Sequence, residues 1–90
     1  MNILKFFGLW CNSCKTLSKN LEDAGIEHKS IDVDDNEELT EKYHVKSVPT
    51  VIVLDNEGEE LGRFVGPRTK EQLLEELKNY EIQSSEKDNL

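Results

Sequence analysis

Cysteine is scarce in this chain. The two it has, Cys11 and Cys14, lie together in Trp10-Cys11-Asn12-Ser13-Cys14-Lys15. The two could be half of a zinc site, but such sites usually want four ligands, no second cysteine pair exists, and His28 and His44 stand in separate segments. A bridge across so short a loop restrains the unfolded chain little, which argues against a purely structural disulfide. Inert buried thiols and a redox pair remain as alternatives. Basic residues are also few. Eleven Lys and Arg stand against nineteen Asp and Glu, for a net charge of −8. That balance makes nucleic acid and anionic membranes poor partners, and most of the acidity serves solubility. No apolar run approaches the roughly 20 residues of a membrane-spanning helix. The apolar start of the chain is broken by Lys5 and runs into Trp10 without a small-residue cleavage site, so no signal peptide is expected. No repeat, linker or low-complexity stretch divides the sequence. Ninety residues, 36% hydrophobic and 33% charged, suit one small domain with a modest core. Residues 1–81 are expected to form that domain and residues 82–90 a polar, frayed tail.

What is present is organised around the cysteines. Asn2 to Phe7 is almost wholly apolar and reads as a strand buried on both faces, with Lys5 as the exception. Gly8-Leu9 forms a turn. The helix that follows runs to about Ala24, with Leu17, Leu21 and Ala24 as its buried stripe and Lys15, Lys19, Asn20 and Glu22 facing water. Gly25 suits the C′ position. The strand-to-helix junction places Cys11 at the helix N-terminus. There unpaired N–H groups and the helix dipole favour an anion, so Cys11 is expected to be exposed, with a lowered pKa, and to be the nucleophile. Cys14, one turn further in and more buried, is placed to attack a mixed disulfide at Cys11. Cys-x-x-Cys beside a βαβ pattern is a redox signature. A cytoplasmic location, where a dithiol stays reduced, is the expected setting.

Residues 26–33 read as a second, more polar edge strand carrying an exposed His28. Glu37 to Tyr43 reads as a short helix capped by Asp34-Asp35-Asn36, with His44 near its end. After Val48-Pro49-Thr50, Val51 to Leu54 is a buried strand. A turn at Asp55-Asn56-Glu57-Gly58 leads to a partner strand over Glu60 to Val65, ended by Gly66-Pro67. Thr69 to Gln72 has the spacing of a capping box ahead of a helix burying Leu73, Leu74, Leu77 and Tyr80. The order β-α-β-α-β-β-α predicts an α/β fold: a four-stranded mixed sheet flanked by three helices. Parallel strands 1 and 2 and a closing hairpin suggest the spatial order 2-1-3-4, with Cys11 at the C-terminal end of an interior strand.

The sequence resembles the thioredoxin family. The resemblance rests on Trp10-Cys11-x-x-Cys14-Lys15, on Asp32-Val33-Asp34 before a helix ending in Lys42-Tyr43, on Val48-Pro49-Thr50, and on Gly66 before the final helix. These occur in the family's order over about residues 3–80. The resemblance implies a minimal thioredoxin fold and a protein-disulfide reductase. Cys11 would be the attacking cysteine and Cys14 the resolving one. Trp10 would shield them and contact partners. Val48 would offer backbone hydrogen bonds to a bound peptide, Pro49 would be a cis-proline facing the cysteines, and Gly66 would let a partner chain approach. It implies no cofactor beyond the redox-active disulfide and no metal. The partners would be disulfide-containing proteins and, as reductant, a thioredoxin reductase or glutathione; the chain would act as a monomer. Four features depart from the family's pattern. The first strand and helix are absent. Asn12-Ser13 replaces Gly-Pro between the cysteines. Lys5 replaces the carboxylate six residues before the first cysteine. The helix-kinking proline is replaced near Lys19. Lys5 and Lys15 are therefore candidates for tuning proton transfer at the site. A glutathione-coupled, glutaredoxin-like protein and a binding module without turnover are the competing readings.

Overall fold

The computed structural model describes residues 1–88. Its elements run β1 (Asn2–Phe7), α1 (Asn12–Asp23), β2 (Lys29–Asp32), α2 (Glu37–Lys42), β3 (Thr50–Leu54), β4 (Glu60–Val65) and α3 (Lys70–Asp88). The sheet has the order β2-β1-β3-β4. β1 pairs in parallel with β2 and antiparallel with β3, which pairs antiparallel with β4. Interior β1 thus points its C-terminal end at the cysteines, as the sequence order predicts.

Alternation along β1 and β3 distributes the core over both sheet faces. Ile3, Val51 and Val53 pack with Leu17 and Leu21 of α1, Phe64 of β4, and Leu73 and Leu77 of α3. Leu4, Phe6, Ile52 and Leu54 pack on the other face with Ile31, against Leu39 and Tyr43 around α2. Leu17, Leu21 and Leu73 are fully covered. Each such side chain contributes about 1.5–3 kcal/mol by leaving water. Lys5 falls between Ile3 and Phe7 in this alternation, opposite Val51 of β3, and so faces α1 rather than solvent.

The helix ends follow from local chemistry. The capping box forms reciprocally: Gln72 N donates to Thr69 Oγ1 (3.2 Å) and Thr69 N donates to Gln72 Oε1 (3.0 Å). Gly25, at φ +69°, takes the left-handed position after α1.

Several expectations are corrected. β2 is four residues long, not eight. Ile26 N still donates to Leu21 O at the end of α1, and His28 Nδ1 lies 2.9 Å from Ile26 O, so this stretch is tied up before the strand begins. His28 is half-buried and outside the strand. Asn20 does not simply face water, because its Nδ2 donates to Arg68 O (2.8 Å) and links α1 to the start of α3. Leu74 is 46% exposed, since neighbouring Leu73 takes the inward position. α3 continues to Asp88, where a frayed tail was expected; no Gly or Pro interrupts residues 82–88. Residues 89 and 90 of that tail lie outside the described residues.

Candidate active site around Cys11 and Cys14

β1 ends at Phe7, and the Gly8-Leu9-Trp10 turn is closed by a bond from Cys11 N to Gly8 O (3.1 Å). Cys11 is the N-cap of α1, with an extended backbone (φ −96°, ψ 111°). Its Sγ accepts from Cys14 N at 3.2 Å, where a capping oxygen otherwise sits. The first turn of α1 contains no acidic residue, so its positive end is left to the sulfur. Cys11 and Cys14 are joined as a disulfide, with Cα atoms 5.3 Å apart. In this state Cys11 has no S–H, so the Ser13 hydroxyl, 3.4 Å from Cys11 Sγ, is the donor of that pair.

Cys11 is 7% and Cys14 2% exposed. The expected exposed Cys11 is therefore corrected: in the bridged state its Sγ lies against Ser13 and Val48, and only the order of accessibility is as expected. Val48 O lies 3.9 Å from Cys11 Sγ. The Val48–Pro49 peptide is cis, and Pro49 is buried. Gly66 N donates to Pro49 O (2.9 Å), which ties the end of β4 to this loop. Gly66 has φ +92°, and a Cβ there would meet nothing within 4 Å, so the backbone angle is what calls for glycine. Trp10 is 69% exposed and reaches Asp34 Oδ2 from Nε1 at 3.4 Å. Leu9 and Val65, 72% and 52% exposed, give the same end of the molecule further apolar surface.

Behind the disulfide, Lys5 is 5% exposed. Its Nζ donates to Ser18 Oγ (2.6 Å) and lies 5.4 Å from the centre of the Phe7 ring. Ser18 Oγ in turn donates to Cys14 O (2.9 Å). Burial lowers the Lys5 pKa below the ordinary lysine value; the Glu22 carboxylate opposes this with a smaller upward pull. Lys15 is exposed on α1 and shares a cleft of about 350 Å³ with Lys5, Cys14 and Ser18.

The structure thus brings Trp10, Cys11, Cys14, Val48, Pro49 and Gly66 to one end of the sheet, with Lys5 and Lys15 on the α1 side. Ser18 was not singled out from sequence, and Ser13 and Asp34 were named there only within motifs, with no role at the site. Ser18, one helical turn after Cys14, had a spacing signal.

A Cys-x-x-Cys disulfide at the N-terminus of a helix that follows an interior strand, beside a Val-Pro-Thr loop, defines a thioredoxin-like redox fold. The thioredoxin family model matches residues 1–79. The SPbeta prophage-derived thioredoxin-like protein YosR of Bacillus subtilis is 36% identical, the match covering 87% of this chain and 100% of YosR. A Staphylococcus aureus thioredoxin is 32% identical over 86% of this chain and 79% of its own length. Among solved structures, thioredoxin-2, described as a component of malaria parasite protein secretion machinery, superposes with a TM-score of 0.79 at 31% identity, covering 86% of this chain and 80% of that one. The chain belongs to the thioredoxin family, and the Cys11–Cys14 pair makes it a thiol-disulfide oxidoreductase.

Proposed function

We propose that the chain reduces disulfides in other proteins. Cys11 attacks the partner disulfide, Cys14 resolves the mixed disulfide, and a thioredoxin reductase or glutathione restores the dithiol. The observation that carries this reading is the cap geometry. Cys11 Sγ receives a backbone amide at the positive, acid-free end of α1, which lowers the cost of a thiolate there. The exposed Leu9, Trp10 and Val65 support a polypeptide partner, because a strand laid against Val48 O would cover them. The dithiol itself carries the electrons, so the reaction uses no further cofactor or metal. The chain works as a monomer in the cytoplasm, where thiols are kept reduced.

Insulin reduction, followed by turbidity, tests the reading. Reduced protein should accelerate it catalytically with dithiothreitol, Cys11→Ser should abolish the effect, and Cys14→Ser should accumulate a mixed disulfide on Cys11. Turnover with thioredoxin reductase against turnover with glutathione identifies the reductant. Absence of insulin reduction, or retention of full turnover by Cys11→Ser, refutes the assignment.

A further inference from the structure

Gly66 to Thr69 joins β4 to α3, and it meets the disulfide end of the molecule through the bond from Gly66 N to Pro49 O (2.9 Å). A short connection outside helix and sheet keeps one shape only where its backbone groups are held, because ordering each residue costs conformational entropy. Arg68 turns back on the loop it belongs to. Its Nη1 donates to Val65 O (3.3 Å) and to Pro67 O (3.1 Å), the carbonyls on either side of Gly66. Its Nε donates to Glu76 Oε1 of α3 (3.3 Å), and the guanidinium lies 4.7 Å from the centre of the Phe64 ring. A planar fork with five donors can hold such a set, and a lysine could not. The Arg68 backbone is anchored as well, because Asn20 Nδ2 donates to Arg68 O (2.8 Å) from α1, the helix that Cys11 caps. A partly exposed ion pair such as Arg68–Glu76 adds little stability by itself. What these contacts share is their target. They close on the backbone around Gly66, which abuts the Val48-Pro49 loop, and Val48 O lies 3.9 Å from Cys11 Sγ.

We propose that Arg68 and Asn20 are positioning residues for a polypeptide partner. Together they fix the Gly66 backbone and the exposed Val65 beside it, so that a partner strand meets a preformed edge next to the cysteines. The inference rests on the reading of the chain as a reductase of protein disulfides. Both residues act through the loop backbone and not on the sulfurs. A loop held in advance removes an ordering cost that the partner would otherwise meet on binding. It also keeps the partner chain in register with the sulfur it must present, where small misplacements slow a reaction. A small disulfide has no chain to lay along the loop and gains nothing from it. The clamp therefore favours polypeptide disulfides over small ones.

Rate constants of the reduced protein with insulin and with DTNB, a small aromatic disulfide, test this. Arg68→Met keeps an apolar stem over Phe64 and removes the donors; Asn20→Ala removes the bond to Arg68 O. In each variant the ratio of the insulin rate constant to the DTNB rate constant should fall about tenfold, the worth of one charge-assisted hydrogen bond. An unchanged ratio overturns the proposal, whether both rates hold or both fall together, since a merely structural loss slows both alike. Hydrogen exchange at the Gly66 amide, referred to the Ile52 amide in β3, reads the loop itself. It should be about tenfold faster in both variants, and equal protection also overturns the proposal. Should Arg68→Met fail to fold, Asn20→Ala decides alone. A wild-type protein that reduces DTNB but not insulin removes the reading as a reductase of proteins, and faster Gly66 exchange in the variants then leaves the clamp standing. A wild-type protein active on insulin, with an unchanged ratio in the variants, removes the inference alone.

Discussion

Replacing Lys5 by Met should stabilise the oxidised protein at neutral pH. The substitution keeps the apolar stem between Ile3 and Phe7 and removes the ammonium. Against the variant stand the loss of the Ser18 hydrogen bond and of the contact over the Phe7 ring. A hydrogen bond to a charged group is worth about 1.5–3 kcal/mol and a cation–π contact about 0.5–2 kcal/mol. In its favour is the removed desolvation penalty, several kcal/mol for a buried ion. The direction of the Lys5 pKa decides between these sums. It is lowered despite the attraction of Glu22, so burial outweighs the contacts and the fold holds the Lys5 proton less tightly than water does. Buried ion pairs replaced by apolar groups of similar volume range from neutral to gains of about 1–4 kcal/mol, which sets the scale here, and each kcal/mol in a domain this size moves Tm by about 4–8 °C. The gain depends on pH. Below the lowered Lys5 pKa both folded and unfolded wild-type chains carry the proton, and the penalty is fully present. Between that value and the ordinary lysine pKa of 10.5, folding releases a proton, so wild-type stability rises with pH and the advantage of Met shrinks. Guanidinium unfolding of the two disulfide forms from neutral to alkaline pH measures this; bridged cysteines do not titrate, and the difference between the two proteins cancels the groups they share and leaves Lys5. A Lys5→Met variant less stable at every pH, or a difference that does not vary with pH, refutes the reasoning.

Two further substitutions probe the frame of the site. Gly8→Ala places its methyl 2.8–2.9 Å from Cε2 and Cζ2 of Trp10. Because the indole is mostly exposed it should swing away from Asp34, changing tryptophan fluorescence while Tm stays nearly constant; an unchanged emission spectrum counts against the contact. Gly62→Ala in β4 places its methyl 2.6–2.7 Å from Cε1 and Cζ of Tyr80. That overpacking between sheet and α3 should cost about 1–3 kcal/mol in urea unfolding, and Tyr80→Leu should recover most of it; an equal cost in both backgrounds excludes the clash.

The parts of this fold readable from sequence are those with a local cause. The two-residue spacing of Cys11 and Cys14, the Gly25 C′ position, the Thr69–Gln72 box and the strand alternation each carry their own chemistry, and the strand order follows from the βαβ handedness and the closing hairpin. What the sequence hid depends on pairing across space. β2 shortens because Ile26 and His28 find backbone partners first. Leu73 and Leu74 are equivalent in composition, and only the angle at which α3 meets the sheet turns one inward. Lys5 stands out in sequence as a charge in an apolar strand, but its hydroxyl partner sits thirteen residues away on α1.

The cations near the disulfide run against the charge of the whole chain. A net charge of −8 by itself opposes another anion and would raise a thiol pKa. Yet the first turn of α1 is free of carboxylates, and Lys5, Lys15 and Lys19 gather along the cleft behind Cys14 with one counter-carboxylate, Glu22. Distance and screening decide which field the sulfurs feel. At physiological salt, exposed charges lose their influence within about 8–10 Å, whereas a buried charge sharing a cavity with the thiol is hardly screened. The acidic surface therefore governs solubility and encounter, and the carboxylate-free helix terminus sets the local field at the Cys11 sulfur. Added salt should slow or speed the approach of a charged partner while leaving the bond from Cys14 N to Cys11 Sγ unchanged. That separation follows from the position of the bridge at a helix N-terminus that carries no carboxylate in its first turn, which distant surface charges do not reach through solvent.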